Sequence, residues 1–345
     1  MHVSSLISNF AEFLEKSTMN EKILKSLKST ETEDIFDLYI VRPICYYLAE
    51  FFNKFGIHPN TVTIWSMVFG AASCFFFAHG SYHYESWAGL LLNLVGILLL
   101  MVGDILDCTD GQLARISGKK SRMGRILDGV AGFAWFTPIY LALIWRFYQH
   151  HDIEFGWLGI EDTPTNAIIA TIVVFALAAY SGLHGLAGQQ RLADYYIQVH
   201  LFFQKGEKGC ELDNSERQQE ILDQMPKDAP FVERLFQQQY VEYTKKQERV
   251  TPQFQRLMAV LKKKFGACDQ IPRDVRAQLH ACSKPLVKCV GLIVFNFRSA
   301  FLFLFCLLDV PVLNFLWEII GLGLIAWWIN RRHEAFCKEM VEKLS

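Results

Sequence analysis

The residues most able to do chemistry lie in one stretch, DILDCTDGQLARISGKKSRMGRILDGVAG, which covers residues 104–132. Its first acids, Asp104, Asp107 and Asp110, follow one another at intervals of three directly after an apolar run. A fourth acid, Asp128, opens the next apolar run. Carboxylates at membrane depth are costly and usually functional, so this stretch is the first place to look for a site.

Acids that converge from adjacent helix ends repel one another unless cations hold them together. Carboxylate oxygens are hard ligands that suit Mg²⁺ or Mn²⁺. A divalent ion that also touches phosphates is how proteins neutralise a reacting diphosphate. We therefore expect Asp107, Asp110 and Asp128 to bind a divalent metal, either Mg²⁺ or Mn²⁺.

Small residues accompany the acids. Residues three, four or seven apart share a helix face, so Gly111 and Ala114 are predicted to point the same way as Asp107 and Asp110. They remove side-chain bulk, as the close approach of a nucleotide would require, and Arg115 can pair with phosphate. The alternative is that the acids simply end helices at the water interface, which leaves the small residues at matching offsets unexplained.

Apolar blocks of about 20 residues, long enough to cross the hydrocarbon, predict the elements that position these acids. Segments such as AGLLLNLVGILLLMVG have no polar face, whereas a soluble helix normally shows one. The predicted fold is all-α: a polytopic membrane protein with six transmembrane helices, an N-terminal interfacial amphipathic helix and a cytoplasmic helical insertion. The six predicted spans are Thr61–Ser81, Trp87–Leu106, Gly129–Tyr148, Asn166–Leu186, Val287–Leu308 and Val312–Asn330.

Loop charges predict the orientation, because Lys and Arg concentrate in cytoplasmic loops. The loops at residues 79–86 and 149–165 contain neither residue, whereas the segments between and beyond them are rich in both. Both termini and the acidic motif are therefore predicted to face the cytoplasm. Arg146, in the last turn of the third span, is the one basic residue on the opposite side.

Composition and the remaining segments complete the prediction. A formal net charge of −1 gives no reason to expect nucleic acid, and nine cysteines without metal spacing argue against a zinc site or a disulfide framework. Asp34–Phe55 reads as an amphipathic interfacial helix in which Pro43 breaks or kinks the chain. Helical stretches are expected around Ser215–Gln224 and Phe231–Lys264.

We divide the chain into four regions on this basis. They are an N-terminal cytoplasmic segment with the interfacial helix, spans one to four with the acidic motif, a cytoplasmic helical insertion, and spans five and six with a cytoplasmic tail. Their bounds are residues 1–57, 58–190, 191–284 and 285–345.

Two arginines are further candidates for contact with substrate. Arg298 lies well inside the fifth span, where an arginine is expected to meet an anion. Arg191 leaves the fourth span on the cytoplasmic side. Together they could hold a donor diphosphate or a phosphorylated acceptor, and the alternative for Arg298 is a structural ion pair.

The acidic stretch resembles the signature of the CDP-alcohol phosphatidyltransferases, D-x₂-D-G-x₂-A-R-x₈-G-x₃-D-x₃-D. Seven positions match with the spacing intact, and the wider resemblance extends from Arg42 to Asn330, including HPNTVT at His58–Thr63. It implies a phosphotransferase of polar lipid biosynthesis that cleaves a CDP-linked donor and releases CMP. The matching residues are Asp107, Asp110, Gly111, Ala114, Arg115, Gly124 and Asp128.

The resemblance also implies roles. The matched aspartates would hold the metal, and Gly111, Ala114, Arg115 and Gly124 would flank the nucleotide. The family's last aspartate, assigned to activating the acceptor hydroxyl or to a second metal, falls at position 132, where this chain has glycine. Asp128 is then the remaining motif acid for catalysis, and the nearest spare carboxylate is Asp104.

Several functions stay open at this stage. The first transfers a phosphatidyl group from a CDP-activated lipid such as CDP-diacylglycerol to a small hydroxylated acceptor such as inositol phosphate, glycerol phosphate or serine. The second moves a phospho-headgroup from a CDP-alcohol to diacylglycerol or ceramide. The third is a non-enzymatic relative that keeps metal and nucleotide binding but has lost turnover, as Gly132 permits. For an active enzyme, His184 and Asp194 are weaker candidates than Asp104 for the base. Membrane lipids are expected partners, and a homodimer is left open.

Overall fold

The computed structural model describes residues 21–34, 36–81, 87–119, 121–226, 228–266 and 270–344. These ranges contain no strand, and 85% of the residues in them are helical. The chain divides into two compact units. The motif unit comprises Met1–Gly182 and Ala300–Leu316, and the insertion unit comprises Leu183–Ser299 and Trp317–Ser345.

Six helices within the described residues are long and apolar enough to cross a membrane, which confirms the predicted number of spans and makes the chain a multi-pass membrane protein. Several extend beyond the predicted ends, because the helices continue past the hydrocarbon-length apolar blocks into polar sequence. Their bounds are Pro59–Ala78, Trp87–Ser117, Leu127–Gln149, Pro164–Lys205, Arg273–Leu307 and Val312–Leu344.

The motif unit begins with two short helices and continues with the first four apolar ones. A π-helical turn, Asp37–Val41, leads into α2. Pro43 stands in the first turn of α2, where its missing N–H costs nothing. The change in winding therefore lies one turn before Pro43 and not at Pro43, where the break or kink was predicted. The elements are α1 (Glu21–Ser26), α2 (Arg42–Lys54), α3 (Pro59–Ala78), α4 (Trp87–Ser117), α5 (Arg122–Gln149), α6 (Asp152–Leu158) and α7 (Pro164–Tyr180).

Helices α3 and α4 approach each other closely because small residues face each other along their seam. A Cβ atom on Gly103 would lie 3.0 Å from the backbone nitrogen of Gly70 and 3.2 Å from the carbonyl oxygen of Ser66. Small residues at such crossings let membrane helices pack backbone against backbone, and any larger side chain would push them apart. This crossing holds the cytoplasm-predicted ends of α3 and α4 together.

The insertion unit is built around an apolar cluster that includes Tyr196, Phe254, Leu279 and Ile329. Its helices are α8 (Ala187–Lys205), α9 (Ser215–Asp223), α10 (Phe231–Val250), α11 (Pro252–Phe265) and α12 (Arg273–Val290), with α15 (Leu322–Leu344) at the C-terminus. The predicted continuous stretch from 231 to 264 is therefore two helices. Pro252 disfavours helical geometry at the residue before it, and Thr251 leaves the helix at φ −127° and ψ 52°.

Three apolar helices change winding along their length. The fourth contains a π-helical segment, Ser181–Leu186, and the sixth contains another, Trp317–Gly321, between α14 (Val312–Leu316) and α15. The fifth is interrupted by a 3₁₀ turn, Gly291–Ile293, before α13 (Phe295–Leu307). The uninterrupted spans predicted from hydropathy miss these breaks, since apolar composition carries little information on winding.

Candidate active site

The C-terminal half of α4 carries the predicted acids. One carboxylate oxygen of Asp107 is buried and has no hydrogen-bond partner within the described ranges. Asp110 is buried, and the Thr63 hydroxyl of α3 donates a hydrogen bond to its Oδ2 atom. Since a buried carboxylate oxygen without a donor carries a full desolvation cost, the Asp107 oxygen is placed as a ligand atom would be.

Asp128 comes to these acids from the neighbouring helix. Its side chain is exposed near the start of α5, and its charge interacts with those of Asp107 and Asp110. Three carboxylates are therefore within electrostatic reach of one another, an arrangement that hard divalent cations such as Mg²⁺ or Mn²⁺ stabilise. The orphaned oxygen and the all-oxygen donor set both fit such an ion.

A tighter group of ligand atoms lies outside the motif. In the described part of the chain, His333, Glu334 and Cys337 have ligand atoms within 4.8 Å of one another. Glu334, however, accepts hydrogen bonds from the backbone N–H groups of Gln253 and Phe254 at the start of α11. Its carboxylate thus already caps a helix, which accounts for this cluster structurally.

Asp104 lies half-buried one turn earlier on α4. Its charge interacts with Asp37 and with Arg42. Arg42 forms an ion pair with Glu33 at 2.8 Å, so the surroundings of Asp104 are set by the N-terminal segment. Spacing along the sequence does not predict the contacts of Asp104 with Asp37 and Arg42, because these partners lie about 60 residues or more away along the chain.

Arg115 and Gly111 are neighbours on the same turn of α4. A Cβ atom on Gly111 would sit 3.4 Å from Nη1 of Arg115, and the Arg115 Nε donates to the carbonyl of Ser26. Ala114, between them in sequence, is half-buried. Glycine at 111 therefore leaves the guanidinium beside Asp110 uncovered on that side, where it can reach a phosphate.

Gly124 is explained by packing at the start of α5. The Ser121 hydroxyl accepts a hydrogen bond from the Gly124 N–H at 2.9 Å and caps the helix. A Cβ atom on Gly124 would lie 3.0 Å from both Ser121 Oγ and Asn60 Oδ1. The structure thus gives this motif glycine a helix-capping reason, in addition to the nucleotide contact predicted for it.

Gly132 is half-buried in α5, one helical turn beyond Asp128. The other acid considered as a base, Asp194 of α8, accepts a hydrogen bond from the Tyr243 hydroxyl at 3.3 Å. His184 belongs to the π-helical segment Ser181–Leu186. Both of these residues belong to the insertion unit.

Arg298 is fully buried in the insertion unit and is already engaged. Its Nη1 atom lies 3.0 Å from the Glu318 carboxylate, and its other terminal nitrogen donates to the Gln189 side chain. The Gln189 amide also donates to the Glu318 backbone carbonyl at 2.9 Å, on the π-helical turn. The structural ion pair considered from the sequence is present, whereas Arg191 lines a cavity described below.

The motif unit holds a second buried polar cluster, which was not predicted from the sequence. Arg146 of α5 pairs with Asp309 and donates to Asn93 Oδ1 at 2.9 Å and to the Cys306 carbonyl at 3.0 Å. Asp309 also accepts from Ser81 at 2.8 Å. The signal was available, since each is a strongly polar residue in or beside an apolar span, and Arg146 alone disagreed with the loop charges.

Taken together, the fold and these acids define a multi-pass membrane protein with a carboxylate cluster suited to a divalent cation and a phosphorylated nucleotide. Comparison with known families gives a match: residues 56–181 match the family model CDP-alcohol phosphatidyltransferase. The same comparisons gave no match to a curated protein or to a solved structure.

The matched range contains Thr63 and every acid of the motif cluster. The family points to phosphatidyl transfer in lipid synthesis, with a CDP-alcohol donor and an alcohol acceptor in a membrane. It is generally dependent on a divalent metal. The insertion unit lies outside the matched range.

Proposed function

We propose that this protein transfers a phosphatidyl group from a CDP-activated lipid, such as CDP-diacylglycerol, to a small hydroxylated acceptor, with inositol phosphate as one such acceptor. The acceptor oxygen forms a bond to the phosphorus of the lipid, the diphosphate bond breaks, and CMP leaves. The observation that carries the proposal is the buried Asp107 carboxylate oxygen, which has no hydrogen-bond partner among the described residues and is grouped with Asp110 and Asp128 inside the matched range.

Asp107, Asp110 and Asp128 would hold Mg²⁺ or Mn²⁺, which supplies charge neutralisation at the diphosphate when bound. Thr63 fixes the Asp110 carboxylate by its hydrogen bond. Arg115 offers a guanidinium for bidentate contact with phosphate. Gly111, Ala114 and Gly124 keep side chains away from the nucleotide.

The proton of the acceptor hydroxyl needs a base other than residue 132. We assign it to Asp104, because this half-buried carboxylate lies one turn from Asp107 on α4. Asp128 serves both as ligand and as the last acid of the motif. Arg298, paired with Glu318, would contribute to acceptor or donor binding only through a rearranged pair, whereas the Arg191 side chain lines an open cavity.

A paired measurement tests the base. If Asp104 is the base, Asp104→Ala lowers CMP release as much as Asp107→Ala, and Gly132→Asp gives no gain because the added charge crowds the acids. A positioned base contributes about 10²–10⁴-fold. If Gly132→Asp instead raises CMP release while Asp104→Ala leaves it unchanged, the glycine at position 132 is what impairs the site.

Donor identity is tested by CMP release from purified protein, with CDP-diacylglycerol and CDP-alcohols supplied separately. Turnover of CDP-diacylglycerol with a soluble alcohol supports the proposal. Turnover only of a CDP-alcohol with diacylglycerol or ceramide overturns the donor assignment. Mass spectrometry of lipids made on expression then names the product.

The active site is proposed to face the cytoplasm, with both termini and residues 191–284 on the same side. The loop charges support this orientation. Cys210 of the insertion is half-buried and reports the side. An impermeant thiol reagent should leave it unmodified in intact cells and modify it after permeabilisation, whereas modification in intact cells contradicts the orientation.

A further inference from the structure

A cavity of about 210 Å³ lies in the insertion unit, between α8, α10 and α15. All of its lining residues fall after position 181 and therefore outside the matched family domain. One of its walls comes from α10, which belongs to the long insertion. The lining residues that matter here are Arg191, Leu192, Gln247, Trp327 and Asn330.

Arg191 brings a positive charge to this cavity. Its half-buried guanidinium makes no hydrogen bond or ion pair with any residue in the described ranges. The only acid on α8, Asp194, accepts a hydrogen bond from Tyr243. A partly desolvated cation that lacks an anion is costly, so the site is prepared for an anionic ligand.

Neighbouring groups add to this preference. The Oδ1 atom of Asn330 accepts a hydrogen bond from the Tyr196 hydroxyl, so the Asn330 amide N–H groups point toward other acceptors. Gln247 of α10 donates to the Arg191 backbone carbonyl at 3.3 Å and so ties the insertion to this part of α8. A guanidinium with an amide donor is a combination that recognises phosphate oxygens.

The rim of the cavity has the composition of a membrane–water interface. Trp327 is 56% exposed, and the Arg331 guanidinium lies 5.3 Å from the centre of its ring. Outside the cavity lining, Arg332 stacks in the same way on Trp328 of α15, at 5.6 Å. Exposed tryptophans beside arginines are typical of the depth at which phospholipid head groups lie.

We propose that this cavity binds the phosphate group of a ligand, either a phospholipid head group or a soluble phosphorylated alcohol, with Arg191 as its cation and Asn330 as a donor. The insertion then has a role, because α10 closes one side of the phosphate site. Binding here requires no turnover. An Asp107→Asn variant should therefore keep phosphate binding even if it loses CMP release, which separates this inference from the proposed function.

The test measures the thermal unfolding of the full-length protein in a neutral detergent. Dioctanoyl phosphatidylglycerol is compared with dioctanoylglycerol, which lacks the phosphate, and sodium phosphate is compared with sodium chloride at equal ionic strength. Saturating ligand should raise Tm by about 5 °C. A shift with the phospholipid alone identifies a head group, and a shift with inorganic phosphate as well identifies soluble phosphorylated compounds.

Arg191→Gln should weaken this binding by about tenfold or more. Arg332→Gln is the matched control, since it removes the same charge from α15 outside the cavity, and it should keep the full shift. Asn330→Leu provides a second test if Arg191→Gln fails to fold. The proposal is overturned if neither phosphate probe shifts wild-type Tm, or if the cavity variants respond as the Arg332→Gln control does.

Discussion

Two buried polar groups at opposite ends of α4 differ in how their charges are balanced. Asn93, near its start, joins a cluster in which Arg146 and Asp309 neutralise each other, and backbone carbonyls accept hydrogen bonds from the Asn93 amide and from a terminal nitrogen of Arg146. Asp107, fourteen residues and about 21 Å further along, lies among other acids with a carboxylate oxygen unpartnered in the described ranges. The opposite charges of the first group balance each other within the protein, whereas the acids of the second still need a cation.

The comparison teaches how to separate structural from functional polarity inside a membrane protein. Buried charges that serve the fold are paired and hydrogen-bonded by the chain itself. Charges that serve chemistry are left for a ligand to complete. By this criterion the buried Arg298–Glu318 pair groups with the structural cluster, and Arg191 groups with the acids.

The largest expected difference comes from replacing an aspartate with asparagine in each of the two buried polar groups. Asp107→Asn should lower CMP release by at least about 10³-fold, because it removes a charge from the metal-binding group. Its Tm should stay equal or rise, since an unpaired buried charge is lost. Asp309→Asn, the matched control, should lower Tm, because it leaves Arg146 without its partner. Equal loss of Tm in both variants would contradict the distinction.

Removal of the cation from the balanced cluster should be the next largest effect. Arg146→Met removes the ion-pair partner of the buried Asp309 carboxylate, at a cost of about 3–5 kcal/mol in the free energy of unfolding. The double variant Arg146→Met, Asp309→Leu should recover at least half of that loss. Denaturation of Arg146→Met, Asp309→Leu and the double variant in the same detergent measures the coupling, and additive losses would show that the two residues do not depend on each other.

A smaller effect is expected at the contact between α3 and the acids. Thr63→Val keeps the shape of the side chain and removes the hydrogen bond to Asp110. CMP release should fall by about tenfold, the effect of one hydrogen bond to a charged group. Thr61→Val on the same helix is the control. A Thr63→Val enzyme with normal activity would show that Asp110 needs no help in orientation.

The smallest effect concerns the pH dependence of stability near the Arg146–Asp309 pair. Burial, together with the charges of Asp309 and Asp152, raises the pKa of Glu154 to about 7 from its ordinary value of 4.5. The folded protein therefore holds this proton between those values while the unfolded chain releases it, so stability falls as pH rises from 4.5 through 7. Glu154→Gln should raise Tm by about 2–4 °C at pH 8 and leave it unchanged at pH 4. A pH-independent difference would contradict this origin.

The sequence predicted the six apolar helices and the motif because both depend on local information. Span length is read from hydropathy, and Asp107, Asp110 and Asp128 are fixed by spacing. Partners distant in sequence could not be read in this way: Asp309 reaches Arg146 across 163 positions, and Ser26 reaches Arg115 across 89. The winding changes at Ser181–Leu186 and Trp317–Gly321 were also missed, because a π-helical turn has no composition of its own.

The seam between α3 and α4 carries a further consequence. Thr63 faces Asp110, Gly70 faces Gly103 and Phe77 faces Gly96, so the contacts recur every seven residues along both helices. A seven-residue repeat keeps one line of contact between two gently coiled helices. The two backbones touch at Gly70 and Gly103, where neither residue has a side chain. A single methyl group at Gly103 would therefore change the angle between α3 and α4. Reactive groups tolerate displacements of only about 0.5 Å, so the identity of a residue two turns away sets how well this protein can aim its carboxylates.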